Sequence, residues 1–191
     1  MKRLNLGCGR KILEGWINLD CVTMEGVDVV ADLDKCSVIP LPFKNNSIDE
    51  FLGSHVLEHL ENPLDLMQDL HRIAKKNAIA TFSLPYGSSD DAYEDPTHKK
   101  LYFINSFGYF SQPFYWKADY GYRGDWQPER ITLVVEETRF AGKSSEEIMR
   151  DIMTCRNVVI EMVAELRAIK PIRINQPQVP PKIEIFLSKI T

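Results

Sequence analysis

The sequence predicts an α/β fold with a doubly wound, mainly parallel sheet. Two observations carry this. Short apolar runs of strand length, Arg3–Leu6, Ile17–Asp20, Val27–Leu33, Ile48–Ser54 and Ala78–Leu84, alternate with turn or helical segments, the pattern of parallel strands joined by crossovers. The first run also breaks at Gly7-Cys8-Gly9, where open α/β sheets turn the chain close to a ligand. With 191 residues, 44% hydrophobic and 26% charged, the chain is large enough for one buried core, which excludes wholesale disorder.

The remaining elements follow in order. Between the fourth and fifth runs, Asn62 suits an N-cap, Pro63 the first helical position and Asp65 the first turn. Met67, Leu70, Ile73 and Ala74 then line one helix face, Lys75 and Lys76 suit its negative end, and Asn77 suits a left-handed stop. Beyond the fifth run the chain becomes aromatic: of 19 Phe, Tyr and Trp residues, 13 lie between Tyr86 and Trp126, including every tyrosine. Ile131–Glu136 reads as a strand, and Ser144-Ser145-Glu146-Glu147 as a capping box. A long helix is expected over 146–169, ended by Pro171, with Ile148, Ile152, Cys155, Val159, Met162, Leu166 and Ile169 as a continuous apolar stripe. That stripe reads as core packing against the sheet or as a homodimer seam. Gln176–Pro181 is a stiff connector, and Lys182–Ile190 a last strand. One domain, 1–191, is expected, in three parts: 1–86, an aromatic segment over 87–128 and a closing part over 129–191.

Composition narrows the function classes. A net charge of -4 argues against phosphate-led nucleic-acid binding, and the aromatics lack the basic interleaving of a single-strand groove. Cys8, Cys21, Cys36 and Cys155 form no C-x-x-C pair, so no metal cluster is expected and the thiols read as reduced, which suits a cytoplasmic protein. The amino-terminal residues run into a strand pattern with no apolar signal core. No apolar run approaches the ~18 residues of a membrane span.

The chemistry-bearing residues begin at Gly7 and Gly9, where the missing Cβ lets backbone approach a ligand. Asp20 ends the next strand, placed to accept hydrogen bonds from two ribose hydroxyls. Asp32 and Leu33 end the third and suit an adenine. The dinucleotide fingerprint is absent, since Ile12 stands where its third glycine belongs, and Asp20 follows Gly9 by only 11 residues. No P-loop is present.

Leu4-Asn5-Leu6-Gly7-Cys8-Gly9, then EGWINLD, VVADL, LPFKNNSIDEFLGSHVLEHL and HRIAKKNAIATFSLPYG resemble the successive motifs of class I S-adenosylmethionine-dependent methyltransferases. They are most similar to the small bacterial branch with a type 11 methyltransferase domain. The resemblance spans residues 3 to about 87, and the last two strands more loosely. It implies a Rossmann-like sheet of seven strands in the order 3-2-1-4-5-7-6, the last two antiparallel. It also implies that the loop at Gly7, Cys8 and Gly9 holds the methionine part of the cofactor. Asp20 would then bind the ribose and Asp32 with Leu33 the adenine, while Ser54 and His55 flank the sulfonium. Two departures stand out. Asn5 replaces the usual acid, able to orient the loop without adding charge, and Lys76-Asn77 replaces a Pro-Gly-Gly turn.

His55-Val56-Leu57-Glu58-His59 also fits the H-x-x-E-H pattern of inverted zinc proteases. On a helix, His55 and His59 would share a face with Glu58 as base, but no third carboxylate ligand is evident downstream. A capping or ion-pair role for Glu58 and His59 is the simpler reading, and no metal site is expected. Asp95-Pro96-Thr97-His98 resembles a string that faces the active site in the same branch. His98 is the side chain type suited to moving a proton near neutrality, with Asp95 to orient it; the plain alternative is an Asx turn with a surface histidine. The aromatic segment suits a lid over an acceptor or a satellite core, with Tyr86 nearest the acceptor.

The expected function is methyl transfer from S-adenosyl-L-methionine to an oxygen, nitrogen or carbon nucleophile of a small molecule or sugar-containing precursor. The alternatives are a binding module that keeps the cofactor fold without catalysis, with the long helix as partner surface, and, remotely, a zinc-dependent hydrolase.

Overall fold

The computed structural model describes residues 1–115, 121–174 and 176–189, apart from the side chain of Phe114. Trp116 and Tyr120 of the aromatic segment and Ile190 of the last expected strand lie outside the described residues. The chain builds one mixed sheet. Its strands are β1 (Arg3–Leu6), β2 (Ile17–Asp20), β3 (Val29–Val30), β4 (Ile48–Ser54), β5 (Ala74–Pro85), β6 (Trp126–Glu136), β7 (Val159–Ala168) and β8 (Lys182–Ser188), in the order β3-β2-β1-β4-β5-β7-β6-β8. The first five pair in parallel. β7 runs antiparallel to both β5 and β6, and β8 pairs in parallel with β6. The expected order therefore holds, with one more strand at the edge.

The seventh strand comes from a segment expected to be helical. The helix α5 spans only Ser145–Thr154, under a capping box in which Ser144 and Glu147 exchange hydrogen bonds. Arg156 and Asn157 break it, Asn157 with a φ of +55°, and Val159–Ala168 is a strand. The apolar residues of this segment satisfy both periods: Val159, Met162, Leu166 and Ile169 recur at helical spacing, whereas Met162, Ala164, Leu166 and Ala168 alternate. Two open strand edges take up the second pattern, and all four alternating residues have 0% exposure. A dimer seam along a helix 146–169 is thereby removed, because its second half lies inside the sheet.

The first helix, α1 (Pro63–Ile73), begins as expected with Pro63 at its first position, but Asn62 makes no side-chain cap. Asp34 supplies the anchor instead, its Oδ1 accepting from the amides of Glu61 and Asn62 at 2.8 and 3.3 Å. α1 ends at Ile73 and the chain enters β5 at once, so Lys75 and Lys76 lie in a strand, with Lys75 paired to Asp49 at 2.8 Å. Asn77 has the expected positive φ, +64°. It sits in a bulge, where pairing slips from Ile48↔Ala74 to Glu50↔Ile79. α1 covers one face of the sheet through Leu66, Met67, Leu70 and Ile73, all fully buried. Trp126 seals this layer: its indole donates to the Met67 carbonyl at 2.8 Å and its ring meets Phe51 edge-on at 5.8 Å. No helix among the described residues is long and apolar enough to cross a membrane.

Candidate functional site

The carboxyl ends of β1, β2 and β4 open onto one cavity of about 310 Å³. β1 delivers its loop in a conformation that calls for glycine. Gly7 and Gly9 have φ of +57° and +49°, the left-handed region that glycine tolerates. A Cβ on Gly7 would lie 2.6 Å from Val56 Cγ2, so only glycine passes there. Cys8 N donates to Leu19 O at 3.0 Å, fastening the loop to β2. Asp20, nearly buried, closes the turn: its Oδ2 accepts from Gly9 N at 2.8 Å and its Oδ1 from Val22 N at 3.1 Å.

Asn5 orients this loop. Its Nδ2 donates to Lys11 O and to Asn18 Oδ1, each at 3.0 Å. Asn18, a polar residue buried within the apolar run Ile17–Asp20, completes the clamp by accepting from Leu13 N at 2.9 Å. Asn18 was legible only as an anomaly, since a buried amide inside a strand needs partners. Asn5 and Cys8 are both buried behind the cavity, and burial pushes the Cys8 thiol up.

Gly7, Asp20, Asp32, Leu33 and His55 line the cavity, together with Cys21, Asp34, Val56, His59 and Leu60. Five expected cofactor residues are thus brought together; Asn5, Cys8, Gly9 and Ser54 support or adjoin them. β3 stops at Val30, so Asp32 caps a short 3-10 turn, Leu33–Lys35, accepting from Asp34 N at 3.0 Å. Its carboxyl pairs with Lys35 at 3.0 Å, which holds it below the usual carboxylate range. Ser54 turns to Ser83, hydroxyl to hydroxyl, at 3.3 Å.

His55 carries a φ of +54°, a left-handed conformation uncommon outside glycine that Asn, Asp and His adopt most readily. Its Nδ1 lies 3.2 Å from Glu58 Oε1 and its Nε2 3.3 Å from Glu161 Oε1. The following turn, Leu57–His59, is a 3-10 turn rather than an α-helix. His55 precedes it outside helical geometry, so the i, i+4 face required of an inverted zinc protease does not form. The only three-residue cluster of metal-capable groups among the described residues is Glu58, His59 and His98. It excludes His55 and makes Glu58 a potential ligand rather than a base.

The Asp95-Pro96-Thr97-His98 segment closes on this turn from outside. Lys99 N and Lys100 N donate to Glu58 O at 2.7 and 3.1 Å. Thr97 donates its amide and its hydroxyl to Asp95 Oδ1 at 2.7 and 2.6 Å, and these bonds hold the Asp95 carboxyl below the usual range. Thr97 Oγ1 also lies 2.9 Å from His59 Nδ1. The hydroxyl has one proton and Asp95 takes it, so His59 Nδ1–H is the donor in that contact. His98 Nδ1 meets the Ala92 carbonyl at 3.3 Å and, facing an acceptor, carries the proton there too. The two imidazole centroids are 4.8 Å apart. Asp95 lies 3.8 Å from His98 Nε2 and reaches His59 through Thr97. The expected pairing of Asp95 with His98 is therefore looser than the relay to His59, which lines the cavity. Tyr86 is buried, with its ring against Phe103 at 5.4 Å; burial pushes its phenol up.

The aromatic segment builds a satellite core. Phe107 meets Tyr102 and Phe110 at 5.6 and 6.0 Å, and Tyr115 meets Tyr122 at 5.1 Å. No Phe, Tyr or Trp ring among the described residues lines the cavity of Asp20 and His55.

Residues 4–82 match the family model described as a methyltransferase domain. No curated protein matches the chain. Among solved structures, the chain is similar to an S-adenosylmethionine-dependent methyltransferase of Archaeoglobus fulgidus, at 20% identity and a TM-score of 0.59 over 87% of this chain and 86% of that one. A second such methyltransferase, from Aquifex aeolicus, aligns at 14% identity with a TM-score of 0.51, over 88% and 82%. The [4+2]-cyclase SpnF aligns at 12% identity and a TM-score of 0.53, over 88% and 75%. These likenesses speak to fold.

Proposed function

Because residues 4–82 match a methyltransferase-domain model and the fold is that of S-adenosylmethionine-dependent methyltransferases, we propose that the chain methylates an oxygen, nitrogen or carbon nucleophile of a small molecule or sugar-containing precursor. The observation that carries this is the position of His59, which belongs both to the cofactor cavity and to the cluster with Glu58 and His98. The cofactor fits the cavity's chemistry. Asp20 offers carboxylate oxygens to ribose hydroxyls, Leu33 an apolar wall, and the Gly7–Gly9 turn its closely approaching backbone. When bound, S-adenosylmethionine supplies a methyl group already activated by the sulfonium charge.

The protein's part is alignment and proton handling. As the nucleophile bonds to the methyl carbon, the methyl–sulfur bond breaks and its electron pair stays on sulfur. The nucleophile's proton leaves toward the imidazole–carboxylate cluster, in which Asp95 orients His59 through Thr97 and His98 stands behind. The imidazoles of His55 and His59, which line the cavity, suit hydroxyl groups; Lys99 is engaged by Asp34 and Glu61 at 3.6 and 3.2 Å, which leaves it a poor phosphate ligand.

Calorimetric titration of chelator-treated protein with S-adenosylhomocysteine tests the reading. One micromolar site per chain is expected. No detectable binding would overturn it and leave a fold without its cofactor.

A further inference from the structure

We propose that Glu58, His59 and His98 bind one divalent transition-metal cation at the edge of the cofactor cavity. The binding stands on these residues alone; only the role given to the cation rests on the reading above.

One ligand atom from each of the three residues lies within 4.8 Å of the others. Adjacent ligands of a bound zinc, at about 2.0–2.2 Å from the ion, sit roughly 3–3.5 Å apart, so the triad needs a contraction of about an ångström. Glu58 supplies the independent sign of a missing partner. It is 2% exposed, and neither of its carboxylate oxygens has a hydrogen-bond donor. His55 Nδ1 lies 3.2 Å from Oε1, an ion-pair distance, but makes no hydrogen bond to it. A carboxylate left this way inside a protein is costly unless a cation or donor meets it.

Both imidazoles have their Nδ1–H committed, which leaves Nε2 as the atom each can offer a metal. His59 Nδ1–H is spent on Thr97, itself fixed by Asp95, and His98 Nδ1–H on the Ala92 carbonyl. Each Nε2 is left with its lone pair, and this outer hydrogen bonding is the usual support of metal-bound histidine. The backbone holds the halves together, since Lys99 N and Lys100 N both donate to Glu58 O. Two imidazoles and one carboxylate suit Zn²⁺, Fe²⁺, Co²⁺ or Mn²⁺ rather than the all-oxygen shells of Ca²⁺ and Mg²⁺. Three protein ligands leave a position open. Because His59 is also cavity wall, an acceptor hydroxyl fits that position. Coordinated there it loses its proton more readily, to water in place of His59, whose Nε2 then holds the ion, and the oxygen forms its bond to carbon as the methyl–sulfur bond breaks.

Chelator-treated full-length protein, without cofactor, is titrated with Co²⁺ alone and followed by visible absorption. One ion per chain with d–d bands is expected, displaced by Zn²⁺. His98→Ala and Glu58→Gln should each weaken binding at least tenfold, with circular dichroism checking their folds. Should both variants misfold, the wild type still decides: Zn²⁺ should protect His59 from diethyl pyrocarbonate. No saturable binding, binding unchanged in His98→Ala, unprotected His59, or near-UV thiolate bands placing the ion on Cys21 or Cys155 would each overturn the site. Since S-adenosylhomocysteine binding is measured without metal, failure here leaves the methyltransferase reading standing, and the reverse.

Discussion

Asp20 Oδ2 accepts the Gly9 amide at 2.8 Å, locking the turn after β1 to the end of β2. The same carboxylate lines the cavity, so it both shapes the glycine turn and faces the open space beside it. Asp20→Ala should weaken S-adenosylhomocysteine binding by roughly 2–3 kcal/mol, about 30- to 150-fold, the worth of charge-assisted bonds. Calorimetry reads this directly, and a wild-type affinity would refute the role.

Gly7→Ala should fail twice over. The new Cβ meets Val56 Cγ2 at 2.6 Å while the backbone keeps a φ of +57°. Strain of this kind costs about 1–3 kcal/mol, visible as a lowered urea midpoint, and cofactor affinity should drop with it. Gly9→Ala meets nothing within 4 Å, so its loss should be the smaller of the two.

Asp125 is fully buried and accepts both Nε and Nη2 of Arg173, at 2.9 and 2.7 Å. It also accepts the Arg173 and Gln112 amides, at 2.8 and 3.2 Å. Removing one partner leaves the other charge desolvated, so Asp125→Ala should cost about 3–5 kcal/mol. The double variant with Arg173→Ala should cost less than the sum of the singles in denaturant titrations.

His71 gives stability a pH dependence of known sign. Burial lowers its pKa against the opposing hydrogen bond to Ile169 O, 2.9 Å away. The folded imidazole therefore resists the proton that the unfolded one takes up below about pH 6.5. Its contribution is complete above that pH and declines as pH falls toward the folded value. Urea melts between pH 5.5 and 7.5 should show this decline, and His71→Gln should flatten it.

The thiols should react in a fixed order. Burial pushes Cys36 up to about 12 and raises Cys8, so both should resist a disulfide reagent in the folded state. Cys155 and Cys21 are exposed. Cys21 lines the cavity, so S-adenosylhomocysteine should slow its labelling several-fold and leave Cys155 unchanged.

The cavity's wall was readable because it is local: Gly7, Asp20 and Asp32 lie at or just past the ends of β1, β2 and β3, and parallel pairing brings strand ends together. The cluster of Glu58, His59 and His98 was not, because the 97–100 segment docks on the 58–59 turn through backbone bonds that no side-chain pattern records. Val159–Ala168 was misread for a different reason. Its apolar residues fit both periods, and the choice belongs to the partner strands β5 and β6, not to the segment.

That late strand also sets a timetable for synthesis. When β5 leaves the ribosome, its outer edge over Ile79–Pro85 has no partner until Val159–Ala168 is made, and β6 waits for the same segment. A nascent chain halted in that interval carries a completed parallel half-sheet with an open edge, the state most prone to pair with a neighbour.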